Sequence, residues 1–360
     1  MTTDWIPAEL ETVDLNDKRL DRRFVEVLRS LSQQPNVSIP AACGGYAETM
    51  AAYRFFSNEK TTIENILAPH RNATEQRLAG QEVILFVQDT TKIDMTRPNQ
   101  QVNGLGPIGT SSSTKRGAYL HLLHAFVPDG TPLGTVWHKL IIRKDETSKE
   151  KELKKKNRPK LPITKKESYR WVEGYRQTTQ LAKKHPDTVF VCVGDSEMDI
   201  FEVIAEPRVA NVHFLIRGWH DREVTSELER EMASEEEGEV TRESEAEIAL
   251  RTSLRTAVYA TPVLASKTLQ VRSRPAAVPH AQRPRDRARA AREAVLEIRK
   301  ATVAIQPPGH SSLVEPVNVN VVLVSEVSPP AGETPIEWIL LTTLPIETLA
   351  DVLQVMKYYQ

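Results

Sequence analysis

Residues 83–91 read VILFVQDTT, five consecutive apolar side chains followed by Gln88, Asp89, Thr90 and Thr91. A short continuous apolar run closed by polar residues marks a central strand buried on both faces. Residues 188–195, TVFVCVGD, repeat the pattern, with an apolar run to Val193 and then Gly194 and Asp195. Each aspartate is therefore expected just past a strand end, at the lip of a sheet where ligands of α/β proteins are met. Two carboxylates on neighbouring strands can bind two divalent metals about 3.5–4 Å apart, clamping both oxygens of a phosphoryl transfer. Mg²⁺ suits such a site, with Mn²⁺ as substitute, because it accepts few carboxylates and keeps positions for water and phosphate. A strand-end aspartate also caps the turn that follows, and Thr90 and Ser196 fit that role. The two carboxylates alone leave both readings open.

Outward from this pair, residues 118–127 (AYLHLLHAFV) and 133–142 (LGTVWHKLII) flank Pro128-Asp129-Gly130 and read as a hairpin. A basic loop follows, then a helix over 166–184, a short helix over 199–205 and a strand at 212–216. On the N-terminal side the period becomes helical. Leu20, Phe24, Val27, Leu28 and Leu31 form one stripe of a helix that Pro35 ends, with Lys18, Arg19, Arg22 and Arg23 clustered at its start. Helices over 47–56 and from Thr62 to Leu78 complete a unit that suits a helix-turn-helix-like module, although three such helices also simply cover a core. Residues 218–317 interrupt the α/β layout with strand-like pieces at Val258–Ala260 and Ala301–Ile305 and a proline-spaced basic stretch. Strands return at 319–324 and 338–342, before a helix over 346–359 with Leu349, Leu353 and Met356 on one face.

Composition excludes several classes. The 360 residues are 40% hydrophobic and 26% charged, values of an ordinary globular chain rather than a disordered or fibrous one. No apolar window approaches membrane-spanning length, and MTTDWIPAEL lacks the layout of a signal peptide. Cys43 and Cys192 have neither a CxxC partner nor zinc-type spacing, which fits a reducing cytoplasm. The net charge of −1 hides segregation. Arg143–Lys166 holds 11 Lys/Arg against 4 Asp/Glu, Glu223–Glu247 holds 11 Glu against 2 Arg, and Arg272–Lys300 holds 9 Lys/Arg against 3 acids. Local positive charge permits nucleic-acid binding, and solvated surface runs are its plain alternative.

The blocks SIPAACGGYAETMAAYRFFSN, VQDTTKID, GLGPIG, VCVGDSEMDIFE and PPAGETPIEWILLTTLPIETLADVLQVMKYY occur in that order. Together they resemble the DDE transposases of the insertion-sequence-four family, in the Tn-five transposase branch. The resemblance runs from about residue 5 to the last residue and breaks mainly inside 218–317. It implies an α/β fold: an RNase H-like mixed-sheet catalytic core with an N-terminal helical DNA-binding domain and a β-rich insertion. The boundaries expected are 1–80 for the DNA-binding domain, 81–217 and 318–360 for the core, and 218–317 for the insertion.

Residue by residue, Asp89 in QDTT and Asp195 in GDSEMD match the first and second catalytic, metal-binding aspartates. Trp338 in PIEWILLT matches a tryptophan that stacks on a flipped base, a role with core packing beside Ile339 as its alternative. Arg217 matches a basic residue close to DNA, and Tyr359 the tyrosine of the family's Tyr-Arg-Glu-Lys signature. Lys115 and Arg116, placed in the loop before the second strand, and Arg19, Arg22 and Arg23 are further candidates for the DNA backbone. The implied partners are double-stranded DNA, at transposon ends and target, and a second copy in a homodimer. The implied setting is the bacterial cytoplasm and nucleoid, with no membrane.

The signature's Arg, Glu and Lys would fall at positions 362, 366 and 373, past Gln360. Glu347 lies several turns from the required place, and Asp94, Glu197 and Asp199 are expected to serve turns or helix starts. The expectation is a cut-and-paste transposase truncated before its third catalytic carboxylate, unable to cleave ends appreciably. A non-catalytic DNA-binding remnant is the alternative reading. An RNase H-like nuclease unrelated to transposition would explain Asp89 and Asp195, but neither the helical N-terminus nor the tail.

Overall fold

The fold was taken from a computed structural model that describes residues 4–99, 102–109, 114–158, 161–226, 251–276, 288–309, 311 and 313–360. Most of the acidic run and the centre of the second basic run therefore lie outside the described residues.

The chain opens with five helices: α1 (Ile6–Glu9), α2 (Lys18–Gln33), α3 (Ile39–Cys43), α4 (Tyr46–Phe56) and α5 (Ile63–Leu78). Asp17 caps α2 by accepting the Arg19 N–H, and Thr62 caps α5 by accepting that of Asn65. Their apolar stripes meet in a small core of Ile6, Leu10, Leu15, Phe24, Val27, Ala52 and Phe55. The rings of Phe24 and Phe55 stack at 5.6 Å there. Helix α5 docks this unit on strand β4 (Pro132–Ile141). Arg77 Nε donates to the Leu133 carbonyl at 2.6 Å, and the Thr135 N–H donates to His70 Nε2 at 2.9 Å. Between them Gly134 adopts φ +137° against Thr74, where a β-carbon would collide with the threonine hydroxyl.

The remaining strands are β1 (Val83–Asp94), β2 (Gly106–Pro107), β3 (Arg116–Phe126), β5 (Val189–Gly194), β6 (Val212–Arg217), β7 (Glu223–Ser226), β8 (Arg251–Ser253), β9 (Ala265–Val271), β10 (Arg292–Ile305), β11 (Val317–Glu326) and β12 (Glu337–Thr342). Among the described residues they and β4 form one mixed sheet. Its central order is β4-β3-β1-β5-β6-β12-β11-β10. β1, β5 and β6 run parallel, while β3 and β12 flank them antiparallel. Alternate residues face opposite layers, as the pleat requires. Phe86, Phe190, Phe214 and Ile339 pack under α7 (Tyr169–Ala182), α8 (Phe201–Ile204) and α9 (Leu254–Tyr259). Leu85, Val191, Val193, Leu215 and Leu340 pack under the terminal helix α10 (Leu349–Tyr359).

The structure corrects several expectations. The basic loop contains a helix, α6 (Ser148–Asn157), started by a capping box between Thr147 and Glu150. Val258–Tyr259 lies in α9 rather than a strand, because Ser253 accepts the Thr256 N–H and opens a helix. The described strands of 218–317 do not form a sheet of their own; β10 and β7 continue the central sheet beyond β11. Helix α10 buries Val352, Val355 and Met356, leaving Leu349 and Leu353 exposed. Its sequence carries two apolar stripes. The longer one, running 352-355-356-359, faces the sheet.

Where the chain leaves β6, Asp199 acts as a buried brace. Its Oδ2 accepts the N–H groups of Trp219 and His220, each at 2.8 Å, and its Oδ1 accepts Arg222 Nη2 at 2.6 Å. Removing one partner of such a pair leaves an uncompensated buried charge. We expect Asp199→Ala to lower the free energy of unfolding in urea by about 3–5 kcal/mol. A loss below 1 kcal/mol would show that the brace contributes little.

Candidate two-carboxylate metal centre and nucleic-acid interface

β1 and β5 pair in parallel register from Val83 opposite Val189 to Val87 opposite Val193. Continuing both chains by two residues reaches Asp89, still inside β1, and Asp195, the first residue past β5, so each lies two residues beyond the last paired level of these adjacent strands. Both are exposed, and the alternation of the pleat puts them on the α10 face with Leu85, Val87, Val191 and Val193. Asp89 does not follow the end of its strand. β1 continues to Asp94 against β3, with Asp89 opposite Leu122. The apolar run stops because β5 ends there, so that β1 keeps a neighbour on one side only. Asp195 begins a single 3₁₀ turn over Ser196–Met198.

Each carboxylate is oriented locally. Asp89 Oδ1 accepts the Thr90 N–H at 2.7 Å, and Asp195 Oδ1 accepts the Glu197 N–H at 2.9 Å. On the opposite face lies a buried polar layer. The Thr90 hydroxyl meets His121 Nδ1 at 2.7 Å, and His121 Nε2 meets Gln88 Oε1 at 3.0 Å. Gln88 Nε2 reaches Cys192 Sγ at 3.1 Å. Gly174 of α7 makes the room, since a β-carbon there would collide with Gln88 Oε1. Burial, aided by the cations Arg170 and Lys139, pushes His121 down to about 3. The imidazole is thus neutral at pH 7, its Nδ1 accepting from Thr90 and its Nε2–H donating to Gln88.

The terminal helix completes the exposed side. Arg217, the last residue of β6, is exposed and lies opposite Leu340 of β12. Tyr359 comes down from α10 beside it. Burial raises the Tyr359 phenol above its ordinary value, as does the Asp195 charge, while the charge of Arg217 and a hydrogen bond to it oppose that rise. Trp338 of β12 is half-buried and packs, like Tyr359, against the apolar layer under α10. Asp89, Asp195, Arg217 and Tyr359 are thus gathered on one face, with Trp338 on the neighbouring strand.

The other candidates stand apart from this face. Arg116 is the first residue of β3 rather than part of the loop. It forks onto Asp145 and donates to the Leu105 carbonyl at 2.7 Å, while Lys115 pairs with Asp94 at 2.9 Å. Asp94 is five residues along β1 from Asp89, about 17 Å away at strand rise. Arg19 pairs with Asp17, Arg22 Nε donates to the Lys18 carbonyl, and Arg23 pairs with Glu26, all on the first turns of α2. Asp94 serves its own turn by accepting the Thr96 N–H, whereas Asp199 braces the distant segment after β6 and Glu197 meets Arg170 of α7 at 2.7 Å. Arg170, His121 and Trp219 escaped sequence reasoning, as did the buried hydrogen bonds of Gln88 and Thr90. That tryptophan is 66% exposed and lies two residues beyond Arg217. A strand-period count past β6 would have placed it on the Arg217 side.

Residues 2–61 match the transposase DNA-binding family. The match covers α1 to α4 and supports a transposase, with DNA as the partner of its N-terminal helices. Among the described residues no helix is long and apolar enough to cross a membrane. Among them, too, no group of three or more His, Cys, Asp or Glu side chains is placed to hold a metal.

The His121 layer carries a pH signature. Because its folded value lies far below the ordinary 6.5, the unfolded chain takes up the proton first, and stability falls as pH drops below about 6.5. In urea unfolding between pH 6.5 and 5, His121→Gln is expected to flatten this fall by up to about 1.4 kcal/mol per pH unit. An unchanged slope would mean that His121 is not held neutral.

Proposed function

We propose that this protein is a DDE-type transposase that engages transposon ends through residues 1–80 and presents Asp89 and Asp195 as its metal-binding carboxylates. The observation that carries this reading is the placement of the two aspartates, each two residues beyond the last paired level of the adjacent parallel strands β1 and β5. The transposase DNA-binding match at the N-terminus supports it. So does the strand order β4-β3-β1-β5-β6 with β1, β5 and β6 parallel, the arrangement expected of an RNase H-like core.

The donor set fits Mg²⁺, with Mn²⁺ as a substitute. Two exposed carboxylates, each committed to the protein through one oxygen among the described residues, leave the other oxygen and most of a coordination shell for water and phosphate. Bound there, the ion would supply Lewis-acid neutralisation of phosphate charge. The protein's own residues do the rest. Arg217 offers a guanidinium to a phosphate beside the aspartates, and Tyr359, hydrogen-bonded to that arginine, limits its freedom. Trp338 presents an aromatic edge of the site to an unpaired base. The reaction to which these residues would contribute is hydrolysis at the transposon end, then strand transfer by the freed 3′-hydroxyl, within a paired-end complex of two copies.

Two measurements test the reading. Mn²⁺ titrated into the 360-residue protein and followed by electron paramagnetic resonance should bind saturably, and Asp89→Asn or Asp195→Asn should abolish that binding without unfolding the chain. Persistence of binding in both variants would sink the metal assignment. On end-containing DNA, joint replacement of Arg19, Arg22 and Arg23 by Gln should lower the slope of log K against log [salt] by about 0.9 per lost phosphate contact. An unchanged slope would mark the start of α2 as a solvated face.

A further inference from the structure

Behind the two aspartates one buried side chain touches both of the segments that hold them. Arg170, in the first turn of α7, is 7% exposed, yet every direction of its guanidinium is used. Nε donates to Thr90 Oγ1 at 3.0 Å, Nη2 donates to Glu197 Oε2 at 2.7 Å, and Nη1 returns to the Glu167 carbonyl at 3.0 Å. Thr90 is the residue whose N–H orients Asp89, and Glu197 is the residue whose N–H orients Asp195. One planar fork thus grips the two residues that aim the two carboxylates. We infer that Arg170 is a positioning residue that fixes the separation of Asp89 and Asp195 for a divalent cation.

The physical reason lies in the two strand ends. Pairing between β1 and β5 stops at Val87 and Val193, two residues short of the aspartates. Beyond that point no described ladder ties the two segments together, and Arg170 spans the gap. Mg²⁺ demands near-ideal octahedral geometry, so a loose pair of carboxylates binds it poorly. Groups that orient metal ligands from behind are typically worth about 10–100-fold in metal affinity. A lysine would keep the charge but not the fork, having one donor centre in place of three spread nitrogens.

The inference rests on the metal-site reading above, and its test separates the two. Mn²⁺ binding is measured on wild type, Asp195→Asn, Arg170→Lys, Arg170→Gln, Glu197→Ala and Thr90→Val, each with its thermal midpoint. Positioning predicts that both Arg170 variants weaken Mn²⁺ about tenfold, and that Glu197→Ala weakens it in the same direction. A role of charge alone predicts the opposite sign for Arg170→Gln, since removing a cation near two carboxylates tightens binding of another. A role in packing alone lowers the thermal midpoint and leaves the affinity of the folded protein unchanged. Either of those outcomes overturns the inference. Thr90→Val, which removes the acceptor of Arg170 Nε without changing any charge near the aspartates, keeps the test open even where an Arg170 variant does not fold: positioning predicts weaker Mn²⁺ binding, and unchanged affinity overturns the inference. Wild type that fails to bind, or Asp195→Asn that still binds, overturns the metal-site reading itself and the inference with it.

Discussion

The parallel pairing of β1 with β5 is the constraint on which the rest of the site depends. Once Val83 stands opposite Val189, the ladder runs to Val87 and Val193 and leaves Asp89 and Asp195 each two residues past its end. A slip of one residue would turn either aspartate to the α7 face, into a layer that holds Phe86, Phe190 and Trp171. Register is protected because both faces of these strands are buried. The strands carry two interleaved apolar sets, and each set matches its own covering helix.

That protection weakens where β5 ends, and there the polar layer of Gln88, Thr90 and His121 takes over. Placing three polar side chains beneath α7 is costly unless every donor meets an acceptor. Thr90, His121 and Gln88 achieve this by passing hydrogen bonds in one direction, which in turn requires a neutral imidazole. The layer lets β1 continue on β3 alone while keeping Asp89 on the exposed side. The same threonine that closes this chain also receives Arg170, so the buried layer and the exposed carboxylates share one anchor.

Much of this was legible in the sequence. The runs VILFV and TVFVCV identified the two central strands, and Pro128-Asp129-Gly130 identified the hairpin beside them. Thr62 reads as a helix cap, and the structure uses it as one. The two aspartates were visible as the first charges after each apolar run. What the sequence hid depends on pairing between distant segments. The extension of β1 to Asp94 follows from β3, which no local pattern in KID announces. The buried face of α10 is ambiguous in sequence because two apolar stripes coexist in one short helix, and only packing against Leu340 and Val324 chooses between them. Arg170 reads as one of many cations in a basic region until the fold shows that it is buried.

The choice of stripe in α10 has a consequence at the site. Thr348 and Asp351 form a capping box that fixes where the helix starts. From that start, burying Val352, Val355 and Met356 leaves Tyr359 on the same side, three and four residues further on. Had Leu349 and Leu353 been buried instead, Tyr359 would lie turned away from the sheet. The phase of the helix therefore decides whether a phenol stands beside Arg217. In the role proposed for Arg217 such a neighbour would matter, because a long exposed arginine samples many rotamers, and ordering it on a phosphate costs entropy. A half-buried ring held by apolar packing restricts the guanidinium before any ligand arrives. Capping at one end of α10 is thus coupled, through the pitch of the helix, to the order of a charged side chain at the other.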